Sequence, residues 1–195
     1  MNAEYIKNNF YYETLNEKHD LDDFNSISKD LNEFLKEDAL KQQNEKLNLT
    51  KLILCDDELI GYVTLFTSQI EIKKIREKYK IKIIKERLSP KKVKNNHPLP
   101  CIFIGRFAID EKYMGKHIGL KIFESIMQNL KELSETQMGF RFITLESFAR
   151  AYTFYTDKHY FVNLTKDDEE IKKNLEKIIE RDPEKKFFLY HDLKI

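Results

Sequence analysis

The run that most constrains the fold is "CIFIGRFAID", Cys101 to Asp110, which reaches "IGLKIFESIM" through a short charged turn. The first run is the most strand-like in the chain and stops at Asp110. From Ile118 the apolar residues Ile122, Phe123, Ile126, Met127, Leu130 and Leu133 trace one face of a helix. A strand delivered directly into an amphipathic helix commits the chain to a sheet with helices packed on it.

The remaining periodicities extend that layout. "FYYETL", Phe10 to Leu15, has the aromatic content of a first strand. From Asp22, the apolar residues Phe24, Ile27, Leu31, Phe34, Leu35 and Leu40 recur at helical intervals and predict one or two helices. "TKLILCDDELIGYVTLF" reads as a hairpin of two buried strands turning at Asp56 to Glu58. Ile70 to Leu88 carries one apolar seam and predicts a lysine-rich helix, followed by a loop. "FITLESF" and "YFVNL" predict strands on either side of a short helix in "ARAYTFYTDK". A late helix over Asp167 to Arg181 stops at Asp182-Pro183, and "KKFFLYHDL" makes the last strand. The order β, α, β, β, α, β, α, β, α, β predicts an α/β (α+β) fold with one mixed sheet. At 195 residues this is the size of one domain, residues 1 to 195, with a basic insert at about 70 to 100.

The turn between the strand and the helix has chemistry of its own. The first N–H groups of a helix lack carbonyl partners, and with the helix dipole they favour an anion. Gly115 and Gly119 permit a tight path there, and Lys116 adds positive charge. A turn that holds no ligand accounts equally well for the glycines alone.

With its neighbours the segment resembles the GNAT superfamily of acetyl-CoA-dependent N-acetyltransferases, whose central motif is [RQ]-x-x-G-x-[GA] at a helix start. The matching residues are Met114-Gly115-Lys116-His117-Ile118-Gly119, with Met114 in place of Arg or Gln and His117 in place of Gly. The family's second signature, A-x-x-F-Y followed by a G-F pair, is met by Ala151-Tyr152-Thr153-Phe154-Tyr155, with His159-Tyr160 standing for the pair. The blocks "DDFNSISKDLNEFLKEDALKQQ", "LILCDDELIGYVTL" and "LPCIFIGRFAID" are similar to those of toxin-type GNAT proteins of toxin-antitoxin modules, which acetylate aminoacyl-tRNA.

The resemblance implies a GNAT fold, with a central, mixed, mostly antiparallel sheet splayed at the cofactor site and helices on both faces. It implies acetyl-CoA as co-substrate, pairing with the backbone at Phe107, Ala108 and Ile109, with its pyrophosphate on the amides of Gly115, Lys116, His117, Ile118, Gly119 and Leu120. An N–H near Phe107 or Ala108 would hold the oxyanion. Tyr155 would protonate the leaving thiolate; its residue type alone fits an aromatic that fills the core, and the motif is what favours an acid. The strand has no carboxylate before Asp110, so Glu146 on the next strand is the candidate base, and Arg106 the candidate substrate contact. The absent strand base favours an α-amine, whose pKa of about 8 is closer to neutrality than that of lysine.

Composition enters at the question of partners. Lys and Arg total 34 against 33 Asp and Glu, so net charge selects no polyanion. Locally the balance differs: residues 70 to 100 hold Lys73, Lys74, Arg76, Lys78, Lys80, Lys82, Lys85, Arg87, Lys91, Lys92 and Lys94 against Glu71, Glu77 and Glu86. Such a block suits RNA phosphates, and it equally suits a solvated helix face. The resemblance implies a primary amine as acceptor, with the α-amine of aminoacyl-tRNA as the reading that the toxin-type blocks favour. A small-molecule or peptide acetyltransferase and a non-catalytic acyl-CoA-binding module are the alternatives. The resemblance brings tRNA and an antitoxin as partners and admits a homodimer. Cys55 and Cys101 read as thiols of a reducing compartment. His19, His97, His159 and His191 lack metal spacing. No apolar run reaches the length of a membrane span, and the expectation is a cytoplasmic protein.

Overall fold

The computed structural model describes residues 1–71 and 98–194. Its strands, β1 (Tyr11–Thr14), β2 (Leu49–Cys55), β3 (Glu58–Glu71), β4 (Pro98–Ile109), β5 (Phe142–Phe148), β6 (Val162–Asn163) and β7 (Lys186–Asp192), form one sheet in the order β1-β2-β3-β4-β5-β7-β6. The pairs β1/β2, β2/β3, β5/β7 and β6/β7 are antiparallel. Helices are α1 (Ala3–Asn9), α2 (Lys29–Glu33), α3 (Ala39–Asn44), α4 (Ile118–Thr136), α5 (Tyr152–Lys158), α6 (Asp168–Lys173) and α7 (Leu175–Arg181). The chain divides into two compact units, Met1–Phe66 with Ile104–Leu130, and Thr67–Phe103 with Lys131–Ile195.

The first unit is built on the β2/β3 hairpin. Asp56 and Asp57 both take left-handed torsions, φ 48° and 62°, which match the twist of a two-residue turn. Tyr5 and Tyr11 donate their hydroxyls to these two carboxylates, at 3.1 and 2.9 Å. Leu15, Phe24, Phe34, Leu35, Ala39, Leu52, Tyr62 and Ala108 form the core. The helical periodicity from Asp22 begins too early, since α2 starts only at Lys29. The reason is local bonding: the Asn32 side-chain Oδ1 accepts both the amide and the hydroxyl of Ser26 at 2.7 Å, so this stretch closes as a loop and Phe24 is buried from it. Between α2 and α3 one π turn, Phe34–Asp38, buries the adjacent Phe34 and Leu35 together, and Tyr62 donates to the Leu31 carbonyl at 2.7 Å. Helix α1, capped by the Asn2 side chain at 2.8 Å, has no counterpart in the periodicity analysis.

In the second unit Leu145 pairs with Leu189 and Ser147 with Phe187, all buried, on one face of β5 and β7. Arg141 donates to Asp192 through Nε at 2.9 Å and Nη2 at 2.6 Å, a two-pronged ion pair on a fully covered carboxylate. Two expectations are corrected here. The "YFVNL" strand shrinks to Val162–Asn163, because the Asn163 side chain accepts the amides of Thr165 (3.0 Å) and Lys166 (2.7 Å) and turns the chain. The helix expected over Asp167 to Arg181 breaks at Asn174, whose side-chain amide bonds back to the Glu170 carbonyl at 2.9 Å. Ile70 and Glu71 end β3 rather than opening a helix. The rest of that expected helix, its loop up to residue 97 and the cations of the basic block lie outside the described residues, while Pro98 to Pro100, expected as the end of that loop, open β4. Cys55 and Cys101 are buried and not joined, and burial pushes both thiols up. Among the described residues no helix is long and apolar enough to cross a membrane, and no group of three or more His, Cys, Asp or Glu is placed to hold a metal.

Candidate functional site

In the first unit, β4 ends at Ile109 and is held there by Asp110, a buried carboxylate that the sequence marks as the end of the strand without a role. Its Oδ1 accepts the Lys112 amide and its Oδ2 the Asn25 amide, each at 3.0 Å, while its own N–H donates to the Ile60 carbonyl at 2.9 Å. The signal for it was an Asp directly before a turn, where a short side chain can cap the following amides. Glu111 to Tyr113 then make one 3-10 turn. Burial and a hydrogen bond to Glu58 push the Tyr113 phenol up and fasten that turn to β3.

Two left-handed residues follow, Gly115 at φ 72° and His117 at φ 58°. The position where the motif usually has glycine therefore keeps the glycine torsion with a histidine in it. The imidazole is exposed, so it meets no neighbour that would forbid the turn. Ile118 is fully buried and fixes the start of α4. A side-chain carbon at Gly119 would come to 3.3 Å from Cγ1 of Ile109, so glycine there lets the helix lie close on β4. The Lys121 amide is the first to find a carbonyl, that of His117 at 3.3 Å. The amides of Ile118, Gly119 and Leu120 precede it at the positive end of a 19-residue helix whose first turn holds no acidic residue. Lys116 lies beside them, its Nζ 3.5 Å from the Lys112 carbonyl, and Met114 is exposed. This cradle fits a diphosphate group.

On β4 itself Ala108 is buried and the Phe107 ring sits edge-on to Phe123 at 5.2 Å. Arg106 is half-buried over the Phe34 ring at 4.9 Å, donates to the Gly105 carbonyl at 2.9 Å, and lies 4.0 Å from Asp30. The structure thus fixes it by the π turn.

The second unit carries the other two assigned residues. Glu146 is exposed on β5. Tyr155 lies on α5, which is anchored by the buried Tyr152, hydrogen-bonded to Asp168 and edge-on to Phe187. The Tyr155 ring is edge-on to Phe154 at 4.9 Å and to Phe161 at 6.1 Å, and burial pushes its phenol up. Its carbonyl accepts the amides of His159 and Phe161, each at 3.2 Å, and Tyr160 between them is left-handed, φ 57°. The glycine-phenylalanine equivalent is therefore displaced by one residue from its expected place. Tyr160 takes the glycine torsion and Phe161, 1% exposed, is the buried aromatic. His159 is buried, and its imidazole is lowered to about 4, first by burial and then by the neighbouring His191.

No protein-family profile and no curated protein sequence matches the chain. Solved structures do. AtaT complexed with acetyl-methionyl-tRNAfMet shares 21% identity at a TM-score of 0.69, covering 95% of this chain and 96% of that one. A tyrosine-to-phenylalanine variant of KacT shares 19% at 0.71 over the same proportions. AtaTR bound with acetyl-CoA shares 21% at 0.64, over 96% and 95%. The chain has the GNAT fold. It is shared along nearly the whole length, with the strand, left-handed turn and helix described above inside it.

Proposed function

We propose that the protein is an acetyl-CoA-dependent N-acetyltransferase whose acceptor is the α-amine of an aminoacyl-tRNA. The observation that carries this is the likeness over nearly the whole chain to AtaT, solved with acetyl-methionyl-tRNAfMet, and it is supported by a left-handed turn before the helix that keeps its torsion with His117 in place of the motif glycine. Acyl transfer forms an amide N–C bond and breaks a thioester C–S bond, so an amine proton must be lost and a thiolate must gain one.

The bound co-substrate supplies the activated acyl group. Gly115, Lys116, His117, Ile118, Gly119 and Leu120 hold its diphosphate through backbone amides and the lysine charge. Phe107, Ala108 and Ile109 offer backbone to its extended arm, and an N–H at Phe107 or Ala108 stabilises the developing oxyanion, worth a few kcal/mol on the order of other such donors. Tyr155 keeps its proton because burial disfavours the phenolate, and it donates to the departing sulfur. Glu146, exposed on β5, receives the amine proton directly or through water, and Arg106 orients the acceptor. An antitoxin is the natural partner of such an enzyme, as in the complex of AtaT with AtaR.

The test is incubation of the protein with labelled acetyl-CoA and either total charged tRNA or a panel of small amines and peptides. Label appearing on the aminoacyl group of tRNA is expected. Transfer to small amines alone would replace the acceptor class, and acetyl-CoA binding without transfer to any of them would reduce the protein to a binding module.

A further inference from the structure

The described part of the second unit carries one surface that the acyl-transfer assignment leaves almost unused. In the β5/β7 register Glu146 lies opposite Phe188 and Phe148 opposite Lys186, so the four share one face of the sheet. The other face is covered, with Phe187 under Tyr152 at 5.1 Å. On the first face Glu146 and Lys186 are exposed, and Phe188 keeps 36% of its surface. Phe103 of β4 lies parallel to Phe188, the planes 3° apart and the centroids 6.4 Å apart. The Phe148 ring is flanked by two cations, Arg150 at 4.9 Å and Lys186 at 4.7 Å.

We propose that this face is the docking platform for the unpaired 3′ end of the acceptor RNA, with bases stacked on Phe188 and Phe148 and phosphates met by Arg150 and Lys186. The proposal rests on the aminoacyl-tRNA reading. Three features select this occupant. The apolar groups that reach solvent here are flat rings rather than branched aliphatic chains, and a ring face accepts any base. Two cations, Arg150 and Lys186, sit directly against one of those rings, Phe148, where a backbone that zigzags between bases carries its phosphates. Duplex RNA is gripped by shape and 2′-hydroxyls and needs no stacking surface, so the pattern fits a single strand. Glu146 repels phosphate, and its place among the rings suits the amino group of a base or of the aminoacyl ester.

The test uses the full chain and fluorescence anisotropy with a single-stranded RNA of about 12 nucleotides, against the same sequence as a duplex. Phe188→Leu keeps the apolar volume and loses the ring, and should weaken single-strand binding roughly 5- to 150-fold. Phe188→Ala should do the same, provided that its unfolding midpoint shows it folded. The double variant Arg150→Gln, Lys186→Gln should reduce the slope of log affinity against log salt by about 1.4, or roughly 0.7 per phosphate. Unchanged single-strand affinity in Phe188→Leu, or an equal loss for the duplex, overturns the platform. Calorimetry with acetyl-CoA separates this outcome from failure of the enzyme reading. RNA binding that needs Phe188 in a protein indifferent to acetyl-CoA keeps the platform and removes the enzyme. Acetylation of charged tRNA with the same KM in Phe188→Leu keeps the enzyme and removes the platform.

Discussion

The phenol of Tyr155, set among Phe154 and Phe161, is pushed above its ordinary range because burial penalises the phenolate. A raised pKa means that the proton is present below the usual value of about 10 and is lost only at higher pH. Turnover should therefore show no alkaline decline from this residue through pH 9, and a decline centred near 8 would assign the limb to another group. Tyr155→Phe removes only the hydroxyl and should lower kcat by about 10²- to 10⁴-fold, with acetyl-CoA affinity by calorimetry little changed. An equal loss of affinity would make it a binding residue. The opposite sign holds at His159. Its folded value of about 4 lies below the ordinary 6.5, so the neutral form it stabilises is fully in place above pH 6.5 and is lost as pH falls toward 4. This one group makes the fold weaker by about 3 kcal/mol across that window. Denaturant unfolding at pH 7 and pH 4.5 should show the loss, and His159→Gln should flatten it.

At the scale of elements, two turns decide where the assigned residues lie, and both hold a left-handed residue that is not glycine. Tyr160 is 78% exposed, so its side chain contributes little packing while its backbone carries a strain of about 1 kcal/mol. Tyr160→Gly should raise the unfolding midpoint, whereas Tyr160→Val should lower it; the reverse order would show that the ring, not the torsion, holds the end of α5. These turns also mark the limit of what the sequence discloses. Strand β4, the hairpin and α4 are legible because burial imposes a period of two or of 3.6 on their apolar residues, and the turn between β4 and α4 is legible because a strand and a helix must be joined by one. The break at Asn174, the loop before α2 and the short β6 are hidden. In each a single Asn or Ser side chain outbids the backbone pattern, and periodicity is blind to that competition. The shift from His159 to Tyr160 is hidden for a related reason: glycine marks a torsion in sequence, and a tyrosine in the same torsion leaves no mark.

For the whole molecule, at 19% to 21% identity and TM-scores of 0.69 and 0.71, the fold persists where residues do not. Within the second unit, the ion pair of Arg141 and Asp192 closes the far end of the β5/β7 ladder, beside the Phe142–Asp192 register pair. Asp192→Asn leaves the guanidinium facing a neutral amide and should cost roughly 3 to 5 kcal/mol in urea unfolding. A loss below about 1 kcal/mol would place the pair among ordinary surface contacts. The two units are also interleaved along the chain, since Thr67–Phe103 interrupts the first and Ile104–Leu130 interrupts the second. A ribosome that makes this chain in order therefore cannot finish either unit before starting the other. The first lacks a strand until β4 has emerged, and the second lacks its ladder until β7 has. Nascent β1, β2 and β3 must wait with one edge open, which makes the interval of translation between Phe66 and Ile104 the time when the chain is most in need of a chaperone.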